Sequence, residues 1–386
     1  MLIKKVLILG AGFGGLAAAA ELEPFARDGD LEVTLVDKNS HFNLGFSMQW
    51  VMMNRRKPEE GIRAYTNLKL SNLTFWQDEV THIATAGNCV YTKSTKLKYD
   101  YLVIALGAEL IPELITGLKE NAYNLCELQS VLQLKAALAR VNQGTVTIAV
   151  ASTPFKCPPA PYEYAFLMDE VLRQRKVREK VKLLVTTPEP QPMPVAGKEV
   201  GEAVVSMLTE RGIKFLPGHK PVRIDGIKRI VSYENGSGQD YEILAAMPPH
   251  RAPRVVLDSG LANEAGFVPV DLLTLRTSVP NVYTVGDVAS LRLPNGNPHP
   301  KAGVFAEAQG IVAAKNIIAE LGGNKDSQYS GKGVCYIDTG YDRAAPAEAD
   351  LLAEEGPRIV LNPASEDGLR GKREFERARF IKWFGG

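Results

Sequence analysis

Short apolar runs alternate with stretches of helical period along most of this chain, and that alternation predicts an α/β fold built on parallel sheets. Lys4 to Gly10 (KKVLILG), the run EVTLVD ending at Asp37, and Tyr99 to Gly107 (YDYLVIALG) read as buried strands of one unit. A second alternating unit follows: helix Leu128 to Val141, strand Val146 to Ala151, helix Tyr162 to Gln174, strand Val181 to Thr186 and helix Lys198 to Arg211. Near Met247 to Pro253 the chain turns back, and short strands over Val255 to Val285 lead to a helix over Lys301 to Leu321. The pattern divides the chain into residues 1–112, 113–252, 253–325 and 326–386, the third stretch returning to the first unit.

The first unit opens with GAGFGG, which sets Gly10, Gly12, Gly14 and Gly15 between a strand and a helix of small residues. Asp37, followed by Lys38, stands 22 residues after Gly15. A glycine turn lets the backbone close on a pyrophosphate at a helix N-terminus, and an acid at that distance accepts hydrogen bonds from ribose hydroxyls. The expected architecture is two Rossmann-like dinucleotide-binding domains, the first of them discontinuous, with a small C-terminal segment. Gly107 fits a strand end that passes a bound dinucleotide closely, or a plain left-handed turn. Gly286 and Asp287, in YTVGD, can place a carboxylate on a polyol such as ribityl, although alone such a pair is also a common turn. Lys301, Ala302 and Gly303 open the following helix, whose free amides favour negative charge; otherwise Lys301 is a solvated lysine.

The corresponding turn of the second unit is different. VTIAVA runs into STPFKCPPAPYE, where Pro158, Pro159 and Pro161 remove backbone donors and fix φ. A nicotinamide phosphate cradle is not expected there, and Cys157 occupies the turn instead. Glu163, six residues after Cys157, is either a proton acceptor or a carboxylate favoured by the helix dipole.

Composition narrows the function further. With 45 basic and 44 acidic residues the net charge is +1, which excludes the basic excess of a nucleic-acid binder. Four cysteines (Cys89, Cys126, Cys157, Cys335) in 386 residues make no disulfide scaffold, so a bonded pair points to redox chemistry. The histidines are dispersed and no metal-ligand spacing occurs, so no metal site is expected. No apolar run reaches the ~18 residues of a spanning helix, and the basic opening MLIKK lacks a signal sequence's apolar core. The expectation is a soluble or peripheral protein on the cytoplasmic side. His41 to Met53 (HFNLGFSMQWVMM) lines a flavin ring or is core. Lys372 to Phe384 sets Phe375, Ala378, Ile381 and Phe384 three residues apart among basic residues, a pattern for an interfacial membrane helix or for one docked on its own subunit or on a homodimer partner.

GAGFGG, Asp37, LVIALGA, PNVYTVGD and HPKAGVFAEAQG together resemble the two-dinucleotide-domain flavoproteins across nearly the whole chain. Within that group, CPPAPYE followed by VCYIDTG is similar to the sulfide-oxidising branch, the sulfide:quinone oxidoreductases and the flavoprotein subunit of flavocytochrome c sulfide dehydrogenase. The cysteine-proline motif is nearer the flavocytochrome type; Cys126 in NLCEL and the aromatic C-terminus are nearer the quinone type. The resemblance implies FAD, a redox-active Cys157 and Cys335 pair beside the flavin, Glu163 as a nearby proton acceptor, and Lys301 with its helix facing the flavin. It also implies sulfide as substrate and a quinone as acceptor, since His41 to Met53 lacks the cysteine that attaches FAD covalently in the flavocytochrome type; Cys126 is the one candidate for such a link. Two other readings stay open: an NAD(P)H-dependent quinone or disulfide reductase, and a redox-sensing flavoprotein in which the cysteines never turn over.

Overall fold

The computed structural model describes residues 3–322 and 325–386; Met1 and Leu2 of the basic opening, and residues 323–324 beside the expected boundary at 325, lie outside it. Two five-stranded parallel sheets carry the fold. The first runs in the order Val282–Thr284, Tyr101–Ile104, Lys4–Leu9, Leu31–Asp37, Thr74–Gln77. It therefore draws its outer strand from residues far along the chain, as a discontinuous unit requires. The second runs Tyr123–Asn124, Ile243–Met247, Gly144–Val150, Val181–Thr186, Ile213–Leu216. Central strands buried on both faces explain the unbroken runs VLIL and TIAV, in which every residue is buried.

Small residues bring the helices onto the first sheet. A Cβ on Gly15 would stand 1.8 Å from the Gly10 carbonyl oxygen, so the Phe13–Arg27 helix lies directly on the strand that precedes it. The Gly303–Gly322 helix packs beside it, where a Cβ on Gly310 would stand 2.1 Å from the Gly14 carbonyl oxygen. The Cys157 turn leads into the Ala160–Gln174 helix, two residues earlier than the sequence pattern suggested.

The C-terminal segment forms a three-stranded antiparallel sheet, Lys332–Gly340, Arg343–Asp350 and Arg358–Leu361, and then the Glu366–Phe384 helix. Ser365 caps that helix, its hydroxyl accepting the Gly368 N–H at 3.0 Å. Its buried face carries Leu369, Lys372, Glu376, Phe380 and Trp383, at steps of three and four. The stripe expected from the sequence is corrected: Ala378 and Ile381 are exposed. At 3.6 residues per turn, steps of three drift about 60° each and leave the face within three steps. Trp383 packs edge-on against Phe13 and Phe42, with centroids 5.8 and 5.7 Å apart, and Phe42 stacks on Phe384 at 6.1 Å. The aromatic bulk that suggested an interfacial helix thus belongs to the protein's own core. Among the described residues no helix is long and apolar enough to cross a membrane.

Candidate functional site

The glycine turn of the first unit has the shape of a phosphate cradle. Gly10 takes φ +96°, and a Cβ there would meet the Ala105 carbonyl oxygen at 2.3 Å; at Gly12 a Cβ would meet nothing within 4 Å, leaving the approach to the helix N-terminus open. No side chain caps that helix and no acid stands in its first turn, so its amides face an anion without competition. Asp37 closes the far side, its Oδ2 accepting the Ala11 N–H at 2.7 Å and its Oδ1 accepting from Asn39. Lys38 is exposed. Gly107 takes φ +67° in open space, and Gly286 takes φ +77° while donating its N–H to Gln309 Oε1 at 2.8 Å. Asp287, Lys301, Ala302 and Gln309 line one small pocket with Gly286. These residues fit an FAD: a phosphate cradle, a ribose acid, and a second acid and lysine further along.

The second turn is closed to phosphate. In the first turn of the Ala160–Gln174 helix the Ala160 N–H donates to the Cys157 carbonyl at 2.9 Å, and those of Tyr162 and Glu163 donate to Pro159. Pro161 has none, and Glu163 adds a negative charge. No amide of that first helical turn is left for a pyrophosphate.

Cys157 itself is anchored to the first unit. It adopts φ +56°, a left-handed conformation costly for a residue with a side chain, and its N–H donates to the Lys301 carbonyl at 2.8 Å across a Lys156–Lys301 bridge. Lys301 in turn donates to the Asp287 and Ala289 carbonyls at 2.5 and 3.1 Å and lies 3.9 Å above the Phe267 ring. Burial lowers its pKa to about 8, against the opposing charge of Asp287. The backbone of Cys157 therefore lies against Lys301, one of the residues that line the expected flavin pocket.

Glu163 joins Cys157 to the strand of Cys335. Its Oε1 accepts the Asp338 N–H at 2.8 Å, three residues past Cys335, and the Lys372 ammonium at 2.5 Å; its Oε2 accepts Gln49 at 2.8 Å. Lys372 donates a further bond to Gln49 Oε1 at 3.0 Å, and Trp50 donates to Asp338 Oδ2 at 2.9 Å. Lys372 and Glu163 are 3% and 1% exposed, so the pair is dry. Both oxygens of Glu163 thus accept from donors. Burial, and then the Glu163 carboxylate, raise the pKa of both thiols, that of Cys335 to about 12, and Lys372 opposes the rise at each. Cys126 is also raised, chiefly by burial, with Lys156 opposing. All four cysteines are free thiols, so the disulfide implied by the family resemblance is not formed in this structure.

Lys372, Gln49 and Asp338 were not singled out in the sequence. The signal that could have found Lys372 is its place on the Leu369, Glu376, Phe380 and Trp383 face. No group of three or more metal-ligating side chains occurs among the described residues.

Two parallel-sheet units, one with a dinucleotide cradle and the other with the proline-rich Cys157 turn at the corresponding place, are the architecture of a dinucleotide-binding oxidoreductase. The family model described as pyridine nucleotide-disulphide oxidoreductase matches residues 4–310, and the chain belongs to that family. It is 30% identical to the mitochondrial sulfide:quinone oxidoreductase of Dictyostelium discoideum, over 94% of this chain and 81% of that protein. The mitochondrial sulfide:quinone oxidoreductase of Mus musculus is 28% identical, over 98% and 85%. The crystal structure of the Aquifex aeolicus sulfide:quinone oxidoreductase superposes with a TM-score of 0.86 at 25% identity, over 98% of this chain and 91% of that one. The chain is a flavoprotein-type oxidoreductase similar to these enzymes.

Proposed function

We propose that this protein oxidises sulfide through Cys157 and Cys335 and passes the electrons, by way of FAD, to a quinone. The observation that carries the reading is the replacement of the second phosphate turn by Cys157, pinned to Lys301, with the Cys335 strand tied to the same helix through Glu163. FAD, when bound, takes up the electron pair and hands it to the acceptor. Gly10, Gly12, Gly14, Gly15 and Asp37 hold its adenosine and phosphate end, and Asp287, Lys301, Ala302 and Gly303 the other.

The sulfur step belongs to the chain. In the oxidised enzyme, hydrosulfide attacks one sulfur of a Cys157–Cys335 disulfide; a new S–S bond forms, the old one breaks, and the products are a persulfide on one cysteine and a thiolate on the other. The thiolate is the species that burial and Glu163 disfavour, and Lys372 is the group that offsets them. Lys372 acts here as a fixed positive charge that costs no reorganisation when the thiolate appears. Glu163 holds that ammonium in place and joins the two cysteine-bearing elements. Cys126, close enough to Lys156, Asp287 and Cys157 for their charges to influence one another, supplies a third sulfur.

Anaerobic rapid mixing with sulfide tests the reading: the flavin is expected to bleach with sulfide in the wild type and to keep its colour in Cys157→Ser and Cys335→Ser while FAD stays bound. Bleaching of both variants at the wild-type rate would overturn it.

A further inference from the structure

Ala11, the second residue of the GAGFGG turn, is held at both of its backbone polar atoms. Its N–H donates to Asp37 Oδ2 at 2.7 Å, and its carbonyl accepts the hydroxyl of Tyr65 at 2.8 Å. Tyr65 stands 54 positions further along the chain, where the Ile62–Ala64 strand passes into a tight turn. Its side chain is buried, packed on Phe75 with ring centroids 4.7 Å apart and on Phe384 at 6.3 Å, and its N–H donates to the Ser40 carbonyl at 3.0 Å. Burial, and then the Asp37 carboxylate, push the phenol well above its ordinary range, so the hydroxyl keeps its proton. A carbonyl oxygen can only accept, so the proton is directed at Ala11.

The consequence falls on the next peptide unit. The Ala11 carbonyl and the Gly12 N–H share one trans peptide plane, in which C=O and N–H point in opposite directions. With the carbonyl drawn onto Tyr65, the Gly12 N–H points away from it. That N–H donates to no group among the described residues, and a Cβ on Gly12 would meet nothing within 4 Å. One buried hydroxyl thus aims a free donor at the open side of the turn. An amide oriented before binding has no reorganisation to make when a phosphate arrives.

We infer that Tyr65 is a positioning residue of the cofactor cradle: through the Ala11 carbonyl, its hydroxyl orients the Gly12 N–H toward the pyrophosphate of FAD. The inference rests on the cofactor reading above and adds a side chain that acts through the backbone, outside the glycine and acid motifs. It also gives the Glu366–Phe384 helix a route to the cradle, since Phe384 packs on the Tyr65 ring.

Tyr65→Phe tests it, because the variant loses the hydroxyl and keeps the ring with its packing. Binding of FAD is followed by flavin fluorescence, and binding of ADP by competition with FAD. The variant is expected to bind both about three- to tenfold more weakly, by the same factor, since both carry the pyrophosphate and the released peptide must be turned at a cost of about one buried hydrogen bond. Unchanged affinity for both, or weakening of FAD alone, overturns the inference, the second result placing the defect at the flavin end. Nuclear magnetic resonance separates aim from packing. In isotopically labelled wild type loaded with FAD, the Gly12 amide nitrogen should show a scalar coupling to a phosphorus of the pyrophosphate, diminished in Tyr65→Phe; a coupling of equal size in both proteins overturns the inference. So does its absence from the wild type, a result that holds even if Tyr65→Phe fails to fold. Wild type that binds neither FAD nor ADP refutes the cofactor reading, and this inference with it.

Discussion

Replacing Lys372 by methionine removes an ammonium that sits 2.5 Å from Glu163 Oε1 and 3.0 Å from Gln49 Oε1, in surroundings where the two charged side chains are 3% and 1% exposed. Methionine keeps the stem and its packing, so the change isolates the charge. Glu163 is left as a buried carboxylate with only the Gln49 and Asp338 N–H donors, and breaking a buried pair in this way costs about 3–5 kcal/mol. The double variant Glu163→Gln with Lys372→Met contains neither charge and is expected to recover most of that loss, because a well-packed neutral replacement is close to neutral in stability. A chain of two units does not unfold in one step, so the readout is the local opening free energy of the Glu366–Phe384 helix, measured by amide hydrogen exchange. The pH dependence has a definite sign. Burial disfavours the Lys372 charge, yet Glu163 and Asp338 together outweigh it and raise the pKa. A base raised in the folded state contributes stability that is complete below its free value of about 10.5 and is lost as pH climbs through the folded value. A loss under about 1 kcal/mol in Lys372→Met, or a double variant no better than the single one, would refute the account of this pair.

Three further outcomes are expected. Glu163→Gln removes the second-largest cause of the raised Cys157 and Cys335 values while Lys372 and burial remain, so both thiols should alkylate faster at mildly alkaline pH; unchanged rates in peptide mapping contradict this. Affinity for FAD should fall as pH rises through about 8, where the Lys301 ammonium is lost, and Lys301→Met should flatten that dependence; parallel titration curves count against a cofactor role for Lys301. Truncation before Lys372 should loosen the core around Phe13, Phe42 and Trp383 and abolish FAD retention, rather than selectively remove lipid binding; a truncated protein that keeps its flavin and its stability shows the helix to be dispensable.

The elements whose cause is local were legible in the sequence. GAGFGG, the acid-tipped strand at Asp37 and the proline-rich turn at Cys157 each follow from residues within a few positions, and the structure places all three where strands meet helices. The charge network was not legible, because its links are long: Lys372 to Glu163 spans 209 positions, Asp338 to Glu163 175, and Gln49 to Glu163 114. A lysine among arginines in a terminal helix reads as solvated, and only the fold reveals that it points inward. Glu163 was found for its closeness to Cys157, but its three donors come from elsewhere.

Sulfide, set against reduced nicotinamide nucleotides, tests the central claim most directly. Anaerobic stopped-flow mixing of the FAD-loaded protein with sulfide, with NADH and with NADPH follows the flavin absorbance in each case. The account predicts rapid bleaching by sulfide, absent in Cys157→Ser and Cys335→Ser, with only very slow bleaching by either nucleotide, because the first turn of the Ala160–Gln174 helix has no amide free to hold a phosphate. Rapid bleaching by NADH or NADPH with none by sulfide would contradict it.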